Sequence, residues 1–212
     1  MSDFKSLIEG TPLLPILQPQ SVEQAVNIAG AVHASGLRSI EVVRRTPVAA
    51  AAVTAILEAF PELLVGMGTV LNQAHVQEAV DAGSQFIITP TISDKLLLAL
   101  SDINIPYLPG TASPSDILLA VEAGLSEVKF FPASLSGGAA MLKNFSAIFP
   151  EVSLCPTGGI SNSNLHEYSS LPNVFALGCS WMIPKSCVAS GDWQGVTVAC
   201  ALAQQQFTKD AA

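Results

Sequence analysis

The feature that most restricts this chain is the alternation, from one end to the other, of short β-rich apolar runs with longer segments of helical periodicity. Runs rich in Val, Ile, Leu and Phe fall at 13–17, 39–43, 64–66, 86–89, 106–108, 127–131, 153–157 and 174–178. Between them lie helical segments such as 22–35, where Val22, Ala25, Val26, Ile28, Ala29 and Val32 mark one apolar face, and 113–123, which opens on Ser113. This alternation predicts βα units with strands in parallel. Ala-Ser-Gly-Leu at 34–37, Asp-Ala-Gly-Ser at 81–84 and Glu-Ala-Gly-Leu at 122–125 each precede a predicted strand, with Gly36, Gly83 and Gly124 ending a helix. Their separations of 47 and 41 residues are each close to two βα units, and Phe-Pro-Glu recurs at 60–62 and 149–151 at helix-to-strand junctions. Eight strands with their helices in 212 residues predict one α/β domain over 1–212, a (β/α)8 TIM barrel somewhat shorter than usual. A doubly wound open sheet is the alternative, but no G-x-G-x-x-G follows the first strand.

Composition narrows the function. Half the residues are hydrophobic and 12% charged, which excludes disorder, yet the longest charge-free apolar run, 48–57, is half of a membrane-spanning helix. Asp3, Lys5 and Glu9 stand where a secretory signal needs a cationic start and an unbroken apolar stretch, so a mature cytoplasmic protein is expected. The net charge of −8 and the lack of any basic cluster argue against nucleic acid or an anionic membrane as partner. An anionic small molecule would have to be held by particular residues. Cys155, Cys179, Cys187 and Cys200 show no C-x-x-C spacing and read as small buried hydrophobes. His33, His75 and His166 fall in or beside predicted helices without a carboxylate cluster, so no metal and no cofactor are expected.

In a βα barrel the functional groups stand at the C-terminal ends of strands. Lys129 is flanked there by Val128, Phe130 and Phe131, an apolar setting that disfavours the ammonium and leaves a neutral amine able to attack a carbonyl. A structural lysine, paired with a carboxylate or reaching the rim, is the alternative. Glu41, at equivalent depth on another strand, favours the first reading by offering a proton shuttle. Glu41 and Arg45 are four apart and share a side if the strand persists that far, lining one cavity or forming a rim ion pair. Thr157-Gly158-Gly159 and Gly178-Cys179-Ser180 follow the last two strands, where such barrels often bind phosphate through backbone N–H groups, although any tight βα turn also favours Gly.

The runs Glu41-Val42-Val43-Arg44-Arg45-Thr46, Gly66-Met67-Gly68-Thr69-Val70-Leu71-Asn72, Lys129-Phe130-Phe131-Pro132-Ala133, Cys155-Pro156-Thr157-Gly158-Gly159-Ile160-Ser161 and Gly178-Cys179-Ser180-Trp181 resemble the 2-keto-3-deoxy-6-phosphogluconate (KDPG) aldolase family in order, over about residues 12 to 200. The resemblance implies a class I aldolase on a (β/α)8 barrel, usually a homotrimer and often also active on 4-hydroxy-2-oxoglutarate (KHG). It implies Lys129 as the Schiff-base lysine and Glu41 as general acid/base. Arg45 and Thr69 become binders of the pyruvate-derived carboxylate, with Pro90 and Phe131 lining that site. Thr157, Gly158, Gly159, Gly178 and Ser180 become the phosphate site. Three positions depart from the family pattern: Thr91 after Pro90, Arg44 in place of an apolar residue, and Gln18-Pro19-Gln20 at the end of strand one where many relatives carry a basic residue. They bear on the substrate mouth and its grip on the distal end. The expected reaction is metal-free retro-aldol cleavage of a phosphorylated 2-oxo sugar acid to pyruvate and glyceraldehyde 3-phosphate. The rivals are a relative acting on the galactonate epimer or on unphosphorylated 4-hydroxy-2-oxo acids, and a sugar-phosphate-binding barrel without catalysis.

Overall fold

The computed structural model describes residues 4–8, 10 and 12–210, apart from the side chains of 208–210. Asp3 and Glu9, on which the N-terminal reading rested, lie outside the described residues. A short helix α1 (Phe4–Leu7) precedes β1 (Leu13–Leu17), α2 (Val22–Ala34), β2 (Ser39–Val43), α3 (Ala49–Ala59), β3 (Leu64–Gly68), α4 (Gln73–Asp81), β4 (Phe86–Ile88) and α5 (Asp94–Ser101). There follow β5 (Tyr107–Leu108), β6 (Gly110–Thr111), α6 (Pro114–Glu122), β7 (Glu127–Phe130), a 3₁₀ turn (Ala133–Ser136), α7 (Gly138–Ile148), β8 (Ser153–Pro156), α8 (Leu165–Ser169), β9 (Leu177–Cys179), α9 (Lys185–Ser190) and α10 (Trp193–Asp210).

The helix ends follow from local chemistry. Ser21, Asn72, Ser93 and Ser113 each accept a hydrogen bond from the backbone N–H three residues on, and Asp116 completes a capping box with Ser113. Each such cap contributes about 1 kcal/mol. Gly36, Gly83 and Gly124 end their helices at φ of +91°, +83° and +78°, as the recurring tetrapeptides predict.

All strand pairs are parallel. The order is β5-β4-β3-β2-β1-β9 in a six-stranded curled sheet and β6-β7-β8 in a three-stranded one. Two strand predictions shift. The run at 106–108 continues past Pro109 into a second short strand, and the strand foreseen at 174–178 forms at Leu177–Cys179, with Val174 held only in an isolated bridge to Leu154. Across the gap between the sheets, Thr157 bridges Gly178, and the Lys129 N–H donates to the Pro109 carbonyl at 2.8 Å.

Alternate residues of the strands face opposite ways, and two apolar clusters form, a large one on the helix side and a smaller one on the other. Leu13, Leu17, Ile40, Val42, Val65, Met67, Ile87, Val128, Phe130 and Leu154 pack with the helices. The opposite face carries a smaller cluster of Leu14, Phe86, Ile88, Leu108, Cys155 and Ala176, closed by Phe4 and Ile8 from the N-terminal segment. Phe4 stacks edge-on against Phe86 at 5.3 Å and against Phe175 at 6.3 Å. This second face also bears Glu41 and Lys129.

Candidate active site

β2 places Glu41 and β7 places Lys129 on the inner face, buried at 1% and 5% exposure. Lys129 Nζ donates to Glu41 Oε1 at 3.3 Å and lies 5.3 Å from the centre of the Phe131 ring. Glu41 Oε2 is buried without a hydrogen-bond partner among the described residues. An unsatisfied buried carboxylate oxygen is costly, and such groups concentrate where a substrate atom completes the hydrogen bonding. Cys155, paired in register with Lys129, is fully enclosed below, and burial pushes its thiol up to about 12 against the opposing influence of Lys129. It is therefore a neutral filler in the floor of the site.

A cavity of about 210 Å³ opens over this pair, lined by Ile16, Glu41, Val43, Arg45, Thr69, Pro90, Lys129, Phe131, Thr157, Gly158, Gly159, Ile160, Gly178 and Ser180. All eleven residues nominated from the sequence border it. β2 ends at Val43, where the sequence reading ends it, so the strand does not persist to Arg45, which reaches the cavity from a bend. Adjacent Arg44 is engaged elsewhere: its Nε donates to Glu78 Oε2 at 2.6 Å. Arg45 has no carboxylate partner among the described residues, so of the two arginines it is the one available to an anion. Thr69 has φ of +63°, uncommon for a β-branched residue and a place where strain is held at a cavity wall. The Thr89 hydroxyl accepts from the Gly110 N–H at 3.1 Å and donates to the Thr91 carbonyl at 2.6 Å, which fixes the backbone around Pro90.

The glycine loop after β8 has a distinctive hydrogen-bond pattern. The carbonyls of Thr157 and Gly158 accept from the N–H groups of Ala133 and Ser134 at 2.8 and 3.0 Å. The Gly158 N–H is turned toward the Gly178 carbonyl in the Thr157–Gly178 bridge, whereas those of Gly159 and Ile160 have no acceptor among the described residues. Two successive free donors lining a cavity suit an anion. Gly158 and Gly159 adopt φ of +97° and +76°, which other residues rarely take. Gly178 has a different reason to be glycine: a side-chain carbon there would collide with the Thr157 hydroxyl.

Sequence reading overlooked Gly68. A Cβ on it would run into the Glu41 carboxyl, and one on Gly66, two residues earlier on the same face, into the Phe86 ring. Two glycines inside one strand are the available signal, because glycine weakens a strand unless another group must approach closely. A second cavity of about 730 Å³ adjoins the first through Ile16, Val43, Arg45 and Ser180, and Gln18, Gln20, Gln24, Trp181 and Lys185 extend it outward. Of the three departures noted above, only the Gln18 segment touches either cavity.

The histidines lie on α2, α4 and α8, and no group of three or more His, Cys, Asp or Glu able to hold a metal occurs among the described residues. All four cysteines are free, and Cys187 is only half-buried, contrary to the expectation of four enclosed thiols.

Comparison with known proteins places this arrangement. The family model described as KDPG and KHG aldolase matches residues 4–199. The KHG/KDPG aldolase of Escherichia coli (strain K12) is 39% identical over 193 residues, 91% of each chain. The 2-dehydro-3-deoxy-phosphogluconate aldolase of Treponema pallidum (strain Nichols) is 41% identical over 198 residues, 93% of each chain. Among solved structures, the KDPG aldolase from Legionella pneumophila, with pyruvate captured at low pH as a covalent carbinolamine intermediate, is similar at a TM-score of 0.92 and 37% identity, covering 95% of this chain and 98% of that one. Sequence identity at this level over nine-tenths of the chain, together with agreement in fold, leads to one conclusion: this chain belongs to the KDPG and KHG aldolase family.

Proposed function

We propose that this protein is a metal-independent class I aldolase that cleaves KDPG to pyruvate and glyceraldehyde 3-phosphate, and KHG to pyruvate and glyoxylate. The observation that carries the reading is the enclosed Lys129–Glu41 pair, with one carboxylate oxygen on the lysine and the other without a partner among the described residues. The Lys129 amine adds to the C2 carbonyl, and Glu41 moves the protons as water is lost to give the iminium. Glu41 then takes the proton of the 4-hydroxyl, the C3–C4 bond breaks, and its electron pair flows into the iminium to form an enamine. The aldehyde leaves, the enamine is protonated at C3, and water releases pyruvate. Arg45 and Thr69 hold the carboxylate beside Pro90 and Phe131. Thr157, the free N–H groups of the glycine loop, Gly178 and Ser180 bound the phosphate subsite. The smaller cavity is lined both by the carboxylate-binding residues and by the phosphate subsite, and the adjoining one meets it at Arg45 and Ser180.

In this reading the two sheets are one closed (β/α)8 barrel in a single domain, with β5 and β6 forming one strand bent at Pro109. The Thr157–Gly178 bridge supports closure on the other side. The active form is a homotrimer, supported by apolar side chains left in solvent, such as Leu135 at 86% and Leu98 at 65% exposure. Light scattering should give about three times the 22.0 kDa chain mass, and a 22.0 kDa particle at assay concentration would exclude the trimer. A cytoplasmic location fits the four unpaired cysteines. No helix among the described residues is long and apolar enough to cross a membrane.

The test of function couples pyruvate release to lactate dehydrogenase with KDPG, its galactonate epimer and KHG as substrates. Borohydride with pyruvate should inactivate the enzyme and add one reduced pyruvyl group, located by peptide mass on Lys129. Labelling of another lysine, or absence of pyruvate release, would overturn the assignment.

A further inference from the structure

We propose that Asn164 is the positioning residue of the glycine loop, aiming the Ile160 N–H at the phosphate; the inference rests on the reading of that loop as the phosphate subsite. In a trans peptide the carbonyl and the following N–H lie in one plane and point in opposite directions. Whatever holds the carbonyl of one residue therefore directs the N–H of the next. Three such planes lie in sequence here. The Thr157 carbonyl is held by the Ala133 N–H at 2.8 Å, which turns the Gly158 N–H the other way. The Gly158 carbonyl is held by the Ser134 N–H at 3.0 Å, which does the same for the Gly159 N–H. The Gly159 carbonyl is held by Asn164 Nδ2 at 3.0 Å, which directs the Ile160 N–H.

The first two anchors are backbone groups, and the third is a side chain. Asn164 occupies the N-cap of α8, where Asn commonly accepts from its own helix, yet it makes no such bond. Its Oδ1 accepts instead from the Ser161 N–H at 2.7 Å and from the Ser161 hydroxyl at 3.3 Å. Both ends of the amide are thus committed to the loop that precedes the helix. Because Gly158 and Gly159 have positive φ and no side chains to restrain them, the loop depends on these external anchors for its shape.

The test is steady-state cleavage of KDPG and of KHG, which lacks the phosphate, by Asn164→Ala, Asn164→Asp and, as a control on the phosphate reading, Ser180→Ala. Asp keeps the acceptor for Ser161 and loses the donor to the Gly159 carbonyl. Both Asn164 variants should raise KM for KDPG roughly tenfold or more, as loss of a hydrogen bond to an ionised group would. Their kcat should stay near the parent value, and kcat/KM for KHG should change less than twofold. Equal losses on the two substrates, or an unchanged KM for KDPG, overturn the proposal. Should Asn164→Ala fail to fold, Asn164→Asp decides by the same criteria. Selective loss of KDPG cleavage in Ser180→Ala without selective loss in the Asn164 variants refutes the positioning role alone. Absence of selectivity in Ser180→Ala refutes the phosphate subsite itself.

Discussion

Gly68 lies on the inner face of β3 beside Glu41, and Gly68→Ala places a methyl carbon 2.7 Å from Cδ and 2.8 Å from Cγ of that glutamate. Carbon atoms rest at about 3.5–4.0 Å, so the carboxyl group has to retreat by about 1 Å. Glu41 is 1% exposed, and the retreat moves it relative to the Lys129 amine, now 3.3 Å from Oε1. A misplacement of about 1 Å in a proton-transferring group costs on the order of 100-fold in rate, or about 2.7 kcal/mol of transition-state stabilisation. The accompanying overpacking costs about 1–3 kcal/mol of folding stability, a fall in Tm of a few degrees for a chain of this size. Coupled measurement of pyruvate release, together with guanidinium unfolding, separates the two effects. Gly68→Ala should remain folded and still be labelled slowly by pyruvate and borohydride, with kcat/KM reduced about 100-fold. A folded variant retaining more than a tenth of the parent kcat/KM would show that Glu41 can do its work from elsewhere, and would refute the argument from close approach.

Glu41→Gln should slow turnover by at least 100-fold while still permitting slow borohydride trapping, whereas Lys129→Ala should abolish both; full activity in either variant would remove that residue from the chemistry. Arg45→Lys keeps the charge and loses the planar fork, so pyruvate should bind several-fold more weakly, measured as the pyruvate concentration that gives half the maximal rate of inactivation by borohydride; unchanged affinity would place the carboxylate elsewhere. Burial pushes the thiols of Cys155, Cys179 and Cys200 up to about 12, from 9.0. The unfolded chain therefore loses these protons first as pH rises, so their contribution to stability is complete below pH 9.0 and lost on approaching pH 12. Urea midpoints should fall from pH 8 to pH 10, and at pH 8 a thiol reagent should modify one cysteine of the native protein, the half-buried Cys187.

What the sequence determined by itself is local in origin. Most of the strands, the Ser113 cap and the glycines that end α2, α4 and α6 were legible because periodicity, side-chain capping and left-handed backbone are decided within a few residues of chain. The eleven site candidates were legible because βα barrels put chemistry at strand ends and because the runs around Lys129 and Gly158 resemble a known family. The tertiary structure decided what depends on distant partners. Glu41 and Lys129 are 88 residues apart, and only parallel pairing through β1 to β9 and β6 to β8 turns both toward one cavity. The spacing from Glu41 singles out Arg45, but only the tertiary structure shows why Arg44 is unavailable: Glu78, brought in by α4, engages it, and no carboxylate among the described residues engages Arg45. Gly68 is glycine because of Glu41 on the neighbouring strand, and Asn164 bonds to the loop before it instead of capping its own helix. In each case the deciding contact joins groups whose approach is set by the packing of whole elements, which no pattern along the chain encodes.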